Sequence, residues 1–131
     1  MSNLSKSMQT DDYKNEKHVP VIEAPQCAQK GKTFQVTIRV GKEIDHPNTT
    51  QHHISWISLF FLPEGEKFPI HIGDTIFAAH GSSAKGSDTS TVYTNHCCIM
   101  EFKTDKPGTL MTSSYCNIHG LWESSKELEI E

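Results

Sequence analysis

The sequence lacks the features that mark membrane-spanning and nucleic-acid-binding proteins. No apolar run approaches the length of a membrane span. No run of lysine and arginine is long enough to suggest a nucleic-acid surface, and the formal net charge is −4 with the histidines neutral. Residues 1–17 are polar and contain no apolar segment of the kind found in secretory signals. We therefore expect a cytoplasmic protein with no nucleic-acid or membrane partner.

Cysteines are few, and their spacing is not that of a disulfide framework. They occupy positions 27, 97, 98 and 116. Adjacent residues of a strand point to opposite faces, so Cys97 and Cys98 do not bridge easily. In a cytoplasmic chain the cysteines are expected to be reduced thiols.

Helical periodicity is also missing, since no segment shows it convincingly over ten residues. What the chain has instead is short apolar or alternating runs with glycine or proline turns between them. Strands are predicted at residues 34–40, 54–62, 68–72, 75–79, 91–102, 109–115, 121–123 and 127–130. This pattern predicts an all-β fold, an immunoglobulin-like antiparallel β-sandwich of about seven strands.

The predicted domain organisation is a single β-sandwich domain at residues 16–131. A chain of 131 residues is long enough for one domain with a hydrophobic core. Residues 1–15 are predicted to form a polar N-terminal arm, with one helical turn around residues 11–14.

Against these absences stands a high histidine count, eight in all, with four of them in two short motifs. Cys116 and His119 are separated by two residues, directly after a predicted strand and just before Gly120. A turn of this kind can direct a sulfur and a ring nitrogen at one point, and both atoms are good ligands for first-row transition metals. The motif alone is weak, because a buried cysteine is most often an inert core residue.

Three more histidines can complete such a site. His46 and His52 flank a Pro-Asn-Thr-Thr-Gln loop, and His18 precedes Val19-Pro20. With Cys116 and His119 they make five candidate ligands, which leave one octahedral position free for a small molecule. His53 is expected to point away from His52 and to support the site rather than bind metal. The remaining histidines, at positions 71, 80 and 96, are interpreted as structural.

Other classes of protein fit these residues less well. A blue-copper carrier needs a weak axial ligand, usually methionine, a few residues after His119, and residues 120–125 offer none. A structural zinc site prefers four closed ligands rather than five. An adhesion module of immunoglobulin type would not need the histidines and would usually have a Cys…Trp…Cys pattern, which is missing here.

Three separated motifs occur in order along the chain. They are Glu16-Lys17-His18-Val19-Pro20, Gly41-Lys42-Glu43-Ile44-x-His46-Pro47-Asn48-Thr49-Thr50-x-His52-His53-Ile54-x-Trp56-Ile57, and Ser114-Tyr115-Cys116-Asn117-Ile118-His119-Gly120-Leu121-Trp122. Together they resemble the motifs of superoxide reductases of the one-iron, neelaredoxin class in the desulfoferrodoxin family. The resemblance extends from about residue 10 to the end of the chain.

The resemblance implies an enzyme that reduces superoxide to hydrogen peroxide at one iron ion per chain, without evolving dioxygen. It implies that the metal ligands are His18, His46, His52, His119 and Cys116. His119 would bind through Nδ1 and the other histidines through Nε2, while the Cys116 sulfur would accept hydrogen bonds from the N–H groups of Ile118 and His119. It further implies two catalytic residues, Glu16, which would also bind iron in the ferric resting state only, and Lys17, a positive charge that attracts superoxide.

The sequence also departs from the family pattern. Asp45 occupies the position before His46, where the family commonly has proline, and this change is expected to affect the redox potential or superoxide guidance modestly. Residues 1–20 contain no cysteine, so the rubredoxin-like domain of the two-iron class is not expected. Electrons would then come from an external donor such as rubredoxin, and family behaviour implies a homotetramer or homodimer.

Overall fold

The computed structural model describes residues 2–131, and within them one helix precedes eight strands. The elements are α1 (Asn3–Ser7), β1 (Pro20–Glu23), β2 (Cys27–Ala28), β3 (Phe34–Val40), β4 (Ile54–Pro63), β5 (Ile70–Ile76), β6 (Cys97–Phe102), β7 (Gly108–Cys116) and β8 (Gly120–Ile130).

The strands form two sheets. The smaller has the order β1-β3-β6, and the larger has the order β2-β8-β7-β4-β5. Neighbouring strands are antiparallel except for the short pair β2 and β8, which is parallel. The predicted all-β sandwich of about seven strands is therefore confirmed, with eight strands in the structure.

The core lies between the two sheets and follows the alternation of their strands. In β3, Val36, Ile38 and Val40 are fully buried while their neighbours are partly exposed. Ile57 and Leu59 of β4 face them from the larger sheet. Fully burying an aliphatic side chain of this size stabilises the fold by roughly 1.5–3 kcal/mol.

Strand β7 is central to the larger sheet, because it pairs with β4 on one side and with β8 on the other. Its inward row consists of Leu110, Thr112, Ser114 and Cys116, all of them buried. The thiol of Cys116 is thus the last member of a core row, at the end of the sandwich where β7 turns into β8.

The two strands predicted at residues 68–72 and 75–79 are wrong, since one strand, β5, runs through the Gly73-Asp74 pair. Gly73 is not a turn residue here. A Cβ atom at this position would lie 3.2 Å from Met100 Sδ, so the glycine allows Met100 to approach closely. The Asp74 carboxylate accepts a hydrogen bond from Ser58 Oγ on the neighbouring strand and does not stabilise a turn.

Three other predicted boundaries differ from the structure. The strand predicted at 91–102 is present only from Cys97, and the pieces predicted at 121–123 and 127–130 are parts of the single strand β8. The strands β1 and β2 were not predicted as strands. They are four and two residues long, too short to show a pattern, and tertiary pairing with β3 and β8 respectively holds them in place.

The N-terminal arm contacts the sheet. Gln9 N donates to Leu121 O at 3.1 Å, and Glu123 N donates to Gln9 O at 2.8 Å. The α-helix of the arm is Asn3–Ser7, with Ser2 as its N-cap, rather than a turn around residues 11–14. At that second place the chain makes a single turn, in which Asn15 N donates to Asp12 O at 2.9 Å.

Within residues 2–131, no helix has both the length and the hydrophobicity that a bilayer-spanning helix needs. All four cysteines are free, so no disulfide contributes to the fold of the chain.

Candidate metal centre

The turn between β7 and β8, residues 116–119, holds one thiol and one imidazole, and we call it the short turn. Cys116 is buried and His119 is exposed. Inside the turn, His119 N donates to Cys116 Sγ at 3.4 Å, and His119 Nδ1 lies 3.9 Å from the same sulfur. Of the two N–H bonds expected at this sulfur, the structure has the one from His119; a bond from Ile118 is not found within residues 2–131. Gly120 then adopts φ +80°, which lets the chain turn directly into β8.

The segment of residues 46–53, which we call the long loop, carries His46 and His52. His46 is almost fully buried, and its Nδ1 atom donates to Pro47 O at 2.6 Å. A carbonyl oxygen only accepts, so Nδ1 holds the proton and Nε2 keeps a free lone pair. Nε2 is buried and finds no hydrogen-bond partner among residues 2–131. A buried unpartnered ring nitrogen is costly on its own, but it is the form of histidine that binds a metal ion.

His52 lies at the other end of the long loop and is half-buried. A local turn fixes its backbone: Thr49 N donates to His52 O at 2.9 Å, and His52 N donates to Thr49 Oγ1 at 3.0 Å. Its Nε2 atom lies 3.2 Å from His119 Nδ1. The long loop and the short turn therefore meet at their imidazoles.

His18 reaches the same place from the segment before β1. It is buried, its Nε2 atom lies 3.1 Å from His119 Nδ1, and its ring stacks on Trp122 with centroids 4.9 Å apart. On the opposite edge of the ring, Nδ1 lies 2.6 Å from Glu16 Oε1. A carboxylate in this position fixes the ring orientation and keeps the proton on Nδ1.

Four predicted ligands converge on one point. The ligand atoms of His18, His52, Cys116 and His119 all lie within 4.8 Å of one another. The fifth, His46, lies beside this group, with its ring centroid 4.8 Å from the centroids of both His18 and His52.

The nitrogen distances fit a shared metal ion better than hydrogen bonds between rings. His119 Nδ1 lies close to both His18 Nε2 and His52 Nε2. His119 Nδ1 can make one good N–H bond, so it cannot pair with both neighbouring nitrogens. A single cation between them could bind the lone pairs of all three nitrogens. Two nitrogens that each lay about 2.1 Å from one ion could be at most about 4.2 Å apart. The observed distances of 3.1 and 3.2 Å are within that limit.

The electrostatics keep two of these imidazoles neutral at neutral pH. Burial lowers the pKa of His46 to about 3. Burial, together with the neighbouring His119, His18 and Lys17, also holds the pKa of His52 below its ordinary value. Neutral imidazole is the ligand form, so the site is poised to bind a cation without first releasing protons from these rings.

The two remaining predicted residues flank the group rather than join it. Burial alone would raise the pKa of Glu16, but its hydrogen bonds to the His18 ring and to the His18 N–H outweigh this and lower it. In this structure its carboxylate is on the edge of the His18 ring away from His119. Lys17 is half-buried, and its positive charge is close enough to His52 to lower the pKa of that ring.

The sequence interpretation assigned no site role to two residues that contact the ligands. Trp122, named in the sequence only as the last residue of the third motif, stacks on His18 and donates from Nε1 to His119 O at 3.3 Å. Asn117, within the short turn, bonds to the long loop on both sides of His52. The position of Asn117 between Cys116 and His119 was the signal available in the sequence.

His53, expected to support the site, lies behind it together with two of the histidines interpreted as structural, His80 and His96. His53 stacks on His80 with centroids 3.5 Å apart, and His96 lies edge-on to His46 with centroids 5.9 Å apart. They pack against the ligand-bearing loop, and His53 does not join the cluster of ligand atoms.

Comparison with known proteins places the chain in a family. The family model described as "Desulfoferrodoxin" matches residues 10–125. Neelaredoxin from Megalodesulfovibrio gigas is 52% identical over 123 residues, which cover 94% of this chain and 95% of that protein. The superoxide reductase of Pyrococcus furiosus is 51% identical over 126 residues, which cover 96% and 99% of the two chains.

A solved structure is equally similar. The superoxide reductase (neelaredoxin) of Archaeoglobus fulgidus in the reduced form has a TM-score of 0.88 and 53% identity, with 93% of this chain and 98% of that one covered. The chain belongs to the desulfoferrodoxin family. Its cluster of histidines and cysteine has the donor set to bind a single iron ion.

Proposed function

We propose that this protein is a superoxide reductase, which converts one superoxide ion, one electron and two protons into one hydrogen peroxide molecule. No dioxygen is formed in this reaction. The observation that carries the proposal is the convergence of three imidazoles and one thiol within 4.8 Å, beside the unpartnered Nε2 atom of His46. The similarity to superoxide reductases over nearly the whole chain supports it.

The proposed ligands of the iron ion are His18, His46, His52, His119 and Cys116. When bound, the ion supplies the electron by passing from the ferrous to the ferric state. We also propose that Glu16 binds iron in the ferric resting state only. This would require the Glu16 carboxylate to exchange its bond with His18 Nδ1 for the metal.

The open side of the site suits a small anionic substrate. His119 is exposed and His52 is half-buried, whereas His18, His46 and Cys116 form the buried side. Lys17 lies near His52 and offers superoxide a local positive charge, although the whole chain carries a net charge of −4. We propose that Lys17 also orients the water molecule that delivers a proton to the product.

The chain also adjusts the sulfur ligand. The hydrogen bond from His119 N to Cys116 Sγ withdraws electron density from the thiolate. This moderates the donation of charge from sulfur to the metal, which favours release of hydrogen peroxide over cleavage of its O–O bond.

Several further features are proposed for the protein in the cell. We propose a cytoplasmic enzyme in antioxidant defence, with residues 16–131 as one domain, residues 1–15 as an arm, and an external electron donor such as rubredoxin. We also propose a homodimer or homotetramer. The exposed side chains of Phe68, Ile70 and Ile76, on or next to the edge strand β5, support an assembly of this kind.

Metal content and product analysis test the proposed function. Untagged protein from iron-supplied cells is expected to contain about one iron per chain by elemental analysis. Loaded with ferrous iron, it should consume superoxide and form hydrogen peroxide without dioxygen, measured with an oxygen electrode. Copper in the same amount would favour an electron carrier instead. If the protein held zinc or no metal and could not be loaded with ferrous iron, the proposal would be wrong.

The role of Lys17 has its own test. Lys17→Ala should lower the bimolecular rate constant for superoxide about tenfold at low salt, and less at high salt, because the local attraction is screened. Lys67→Ala is the matched control, because it removes the same charge at the other end of the sandwich. Lys67 follows Pro63, which pairs with Gly108, and Gly108 and Cys116 are the two ends of β7. Equal rates and equal salt dependence in both variants would remove Lys17 from the electrostatic role.

A further inference from the structure

Asn117 links the short turn to the long loop through its side chain. Its Nδ2 atom donates to Gln51 O at 2.8 Å, and its Oδ1 atom accepts from His53 N at 2.8 Å. Its backbone N–H donates to His53 O at 3.2 Å. These three bonds continue the pairing of β4 with β7 one step beyond Ile54 and Cys116.

The two side-chain bonds enclose His52. Gln51 O belongs to the peptide group before His52, and His53 N belongs to the peptide group after it. Asn117 therefore holds both peptide groups of this imidazole-bearing residue. Asn117 also follows Cys116 directly in the chain. One residue therefore connects the cysteine that carries the thiol to the backbone on both sides of His52.

No other residue type of similar size offers the same pair of bonds. The carboxamide presents one acceptor and two donor hydrogens in a plane, as a peptide group presents one of each. Aspartate keeps the acceptor and loses the donor at neutral pH, and alanine loses both. Exchanging the O and N atoms of Asn117 would place acceptor against acceptor and donor against donor, so the partners fix its orientation.

The other bonds of the long loop cannot replace this clamp. The bonds of Thr49 to His52 lie within the loop and set its shape, and Thr50 is bonded to Asp88, which belongs to a different segment. The position of His52 relative to the short turn therefore depends on Asn117, through its two side-chain bonds and its backbone bond to His53.

We propose that Asn117 is a positioning residue that sets the distance between His52 and the Cys116–His119 pair and thereby tunes metal affinity. The inference rests on the proposed iron site and adds a residue that does not itself contact the ion. Without the two side-chain bonds, the backbone bond from Asn117 N to His53 O still joins the two segments, but the 3.2 Å separation of His52 Nε2 and His119 Nδ1 can lengthen. Loss of a partner that orients a ligand typically lowers metal affinity about 10- to 100-fold.

The test compares Asn117→Ala, Asn117→Asp and the parent by anaerobic ferrous iron titration and by the visible spectrum after oxidation. Asn117→Ala should bind iron about 10- to 100-fold more weakly and should shift the thiolate band. Asn117→Asp retains the bond from His53 N but places a carboxylate oxygen against Gln51 O, so it should also bind iron more weakly than the parent.

Thr112→Val is the matched control. Thr112 is buried in β7, and its Oγ1 atom donates to Ser58 O of β4 at 2.9 Å. The control therefore loses a bond between the same two strands without touching either loop, and it should keep the iron affinity and spectrum of the parent.

Each outcome decides the inference. If the Asn117 variants bound iron as tightly as the parent and showed the same spectrum, the positioning role would be wrong. An equal loss in Thr112→Val would also overturn it, because general weakening of the sheet would then explain the effect. If the alanine variant does not fold, the aspartate variant alone decides by the same criteria. A parent that takes up no iron would instead overturn the proposed function on which the inference depends.

Discussion

The short turn and the long loop bring ligands to one point by different means. The short turn lies between two paired strands, and its bond from His119 N to Cys116 Sγ is internal. The long loop is held partly by other segments of the chain: Asn48 bonds to Thr94 O, and Thr50 bonds to Asp88. The geometry of the first is encoded locally, whereas the geometry of the second depends on the whole fold.

Replacing the thiol is expected to have the largest effect on either region. Cys116→Ser removes the sulfur from the short turn, so the ferric protein should lose its thiolate-to-iron charge-transfer band completely. The measurement is the visible spectrum of the iron-loaded, oxidised protein. Cys98→Ser is the control, since Cys98 is also a buried free thiol but lies in β6, outside the cluster. A Cys116→Ser protein that kept the band would exclude Cys116 as a ligand.

A substitution at the glycine that directly follows the short turn should have the next largest effect. Gly120 has φ +80°, and a Cβ atom there would meet nothing within 4 Å, so Gly120→Ala adds backbone strain without a clash. We expect the free energy of unfolding to fall by about 1–2 kcal/mol. The melting temperature should then fall by about 4–7 °C.

Gly65→Ala separates strain from site geometry. Gly65 also has φ +80° and open space around its missing Cβ, but it lies in the turn between β4 and β5. Both variants should lose similar stability, while only Gly120→Ala should weaken iron binding. Equal iron binding in the two variants would show that the geometry of the short turn does not depend on Gly120.

The anchor of the long loop should have the smallest effect. The Asp88 carboxylate accepts from Thr50 N at 2.9 Å, and Asp88 itself is exposed with φ 56°. Asp88→Ala should lower the free energy of unfolding by about 0.5–1 kcal/mol, because exposed hydrogen bonds contribute little net energy. Ferrous titration should show iron affinity falling only about threefold, because the lost hydrogen bond is at Thr50, two residues before His52.

Asp88→Asn tests whether the carboxyl oxygen is the relevant part. Asparagine keeps an oxygen acceptor and tolerates positive φ, so this variant should behave like the parent. A loss in Asp88→Asn equal to that in Asp88→Ala would show that charge, and not the hydrogen bond, holds the loop.

The same contrast explains what could be predicted from the sequence. The short apolar or alternating runs predicted β3, β4 and β7 closely, because local burial and strand geometry agree in these segments. The Cys-x-x-His spacing similarly indicated a pair of ligands, since four consecutive residues in a tight turn have few arrangements.

Features that depend on distant partners could not be predicted in this way. The split prediction for β5 failed because the packing of Met100 against Gly73 is not visible in a local window. The sequence motif suggested His46 and His52 as ligands, but no local pattern indicates that Asn117 clamps His52 or that Trp122 stacks on His18. These contacts require the folded arrangement of β4, β7 and β8.

The position of Cys116 at the end of the inward row of β7 makes the metal site sensitive to the register of this strand. A slip of β7 by one residue would turn every second side chain to the other face, carrying the thiol out of the cluster and Tyr115 inward. A chain misaligned in this way would lack the thiol among its candidate ligands, so misalignment of β7 is expected to weaken metal binding.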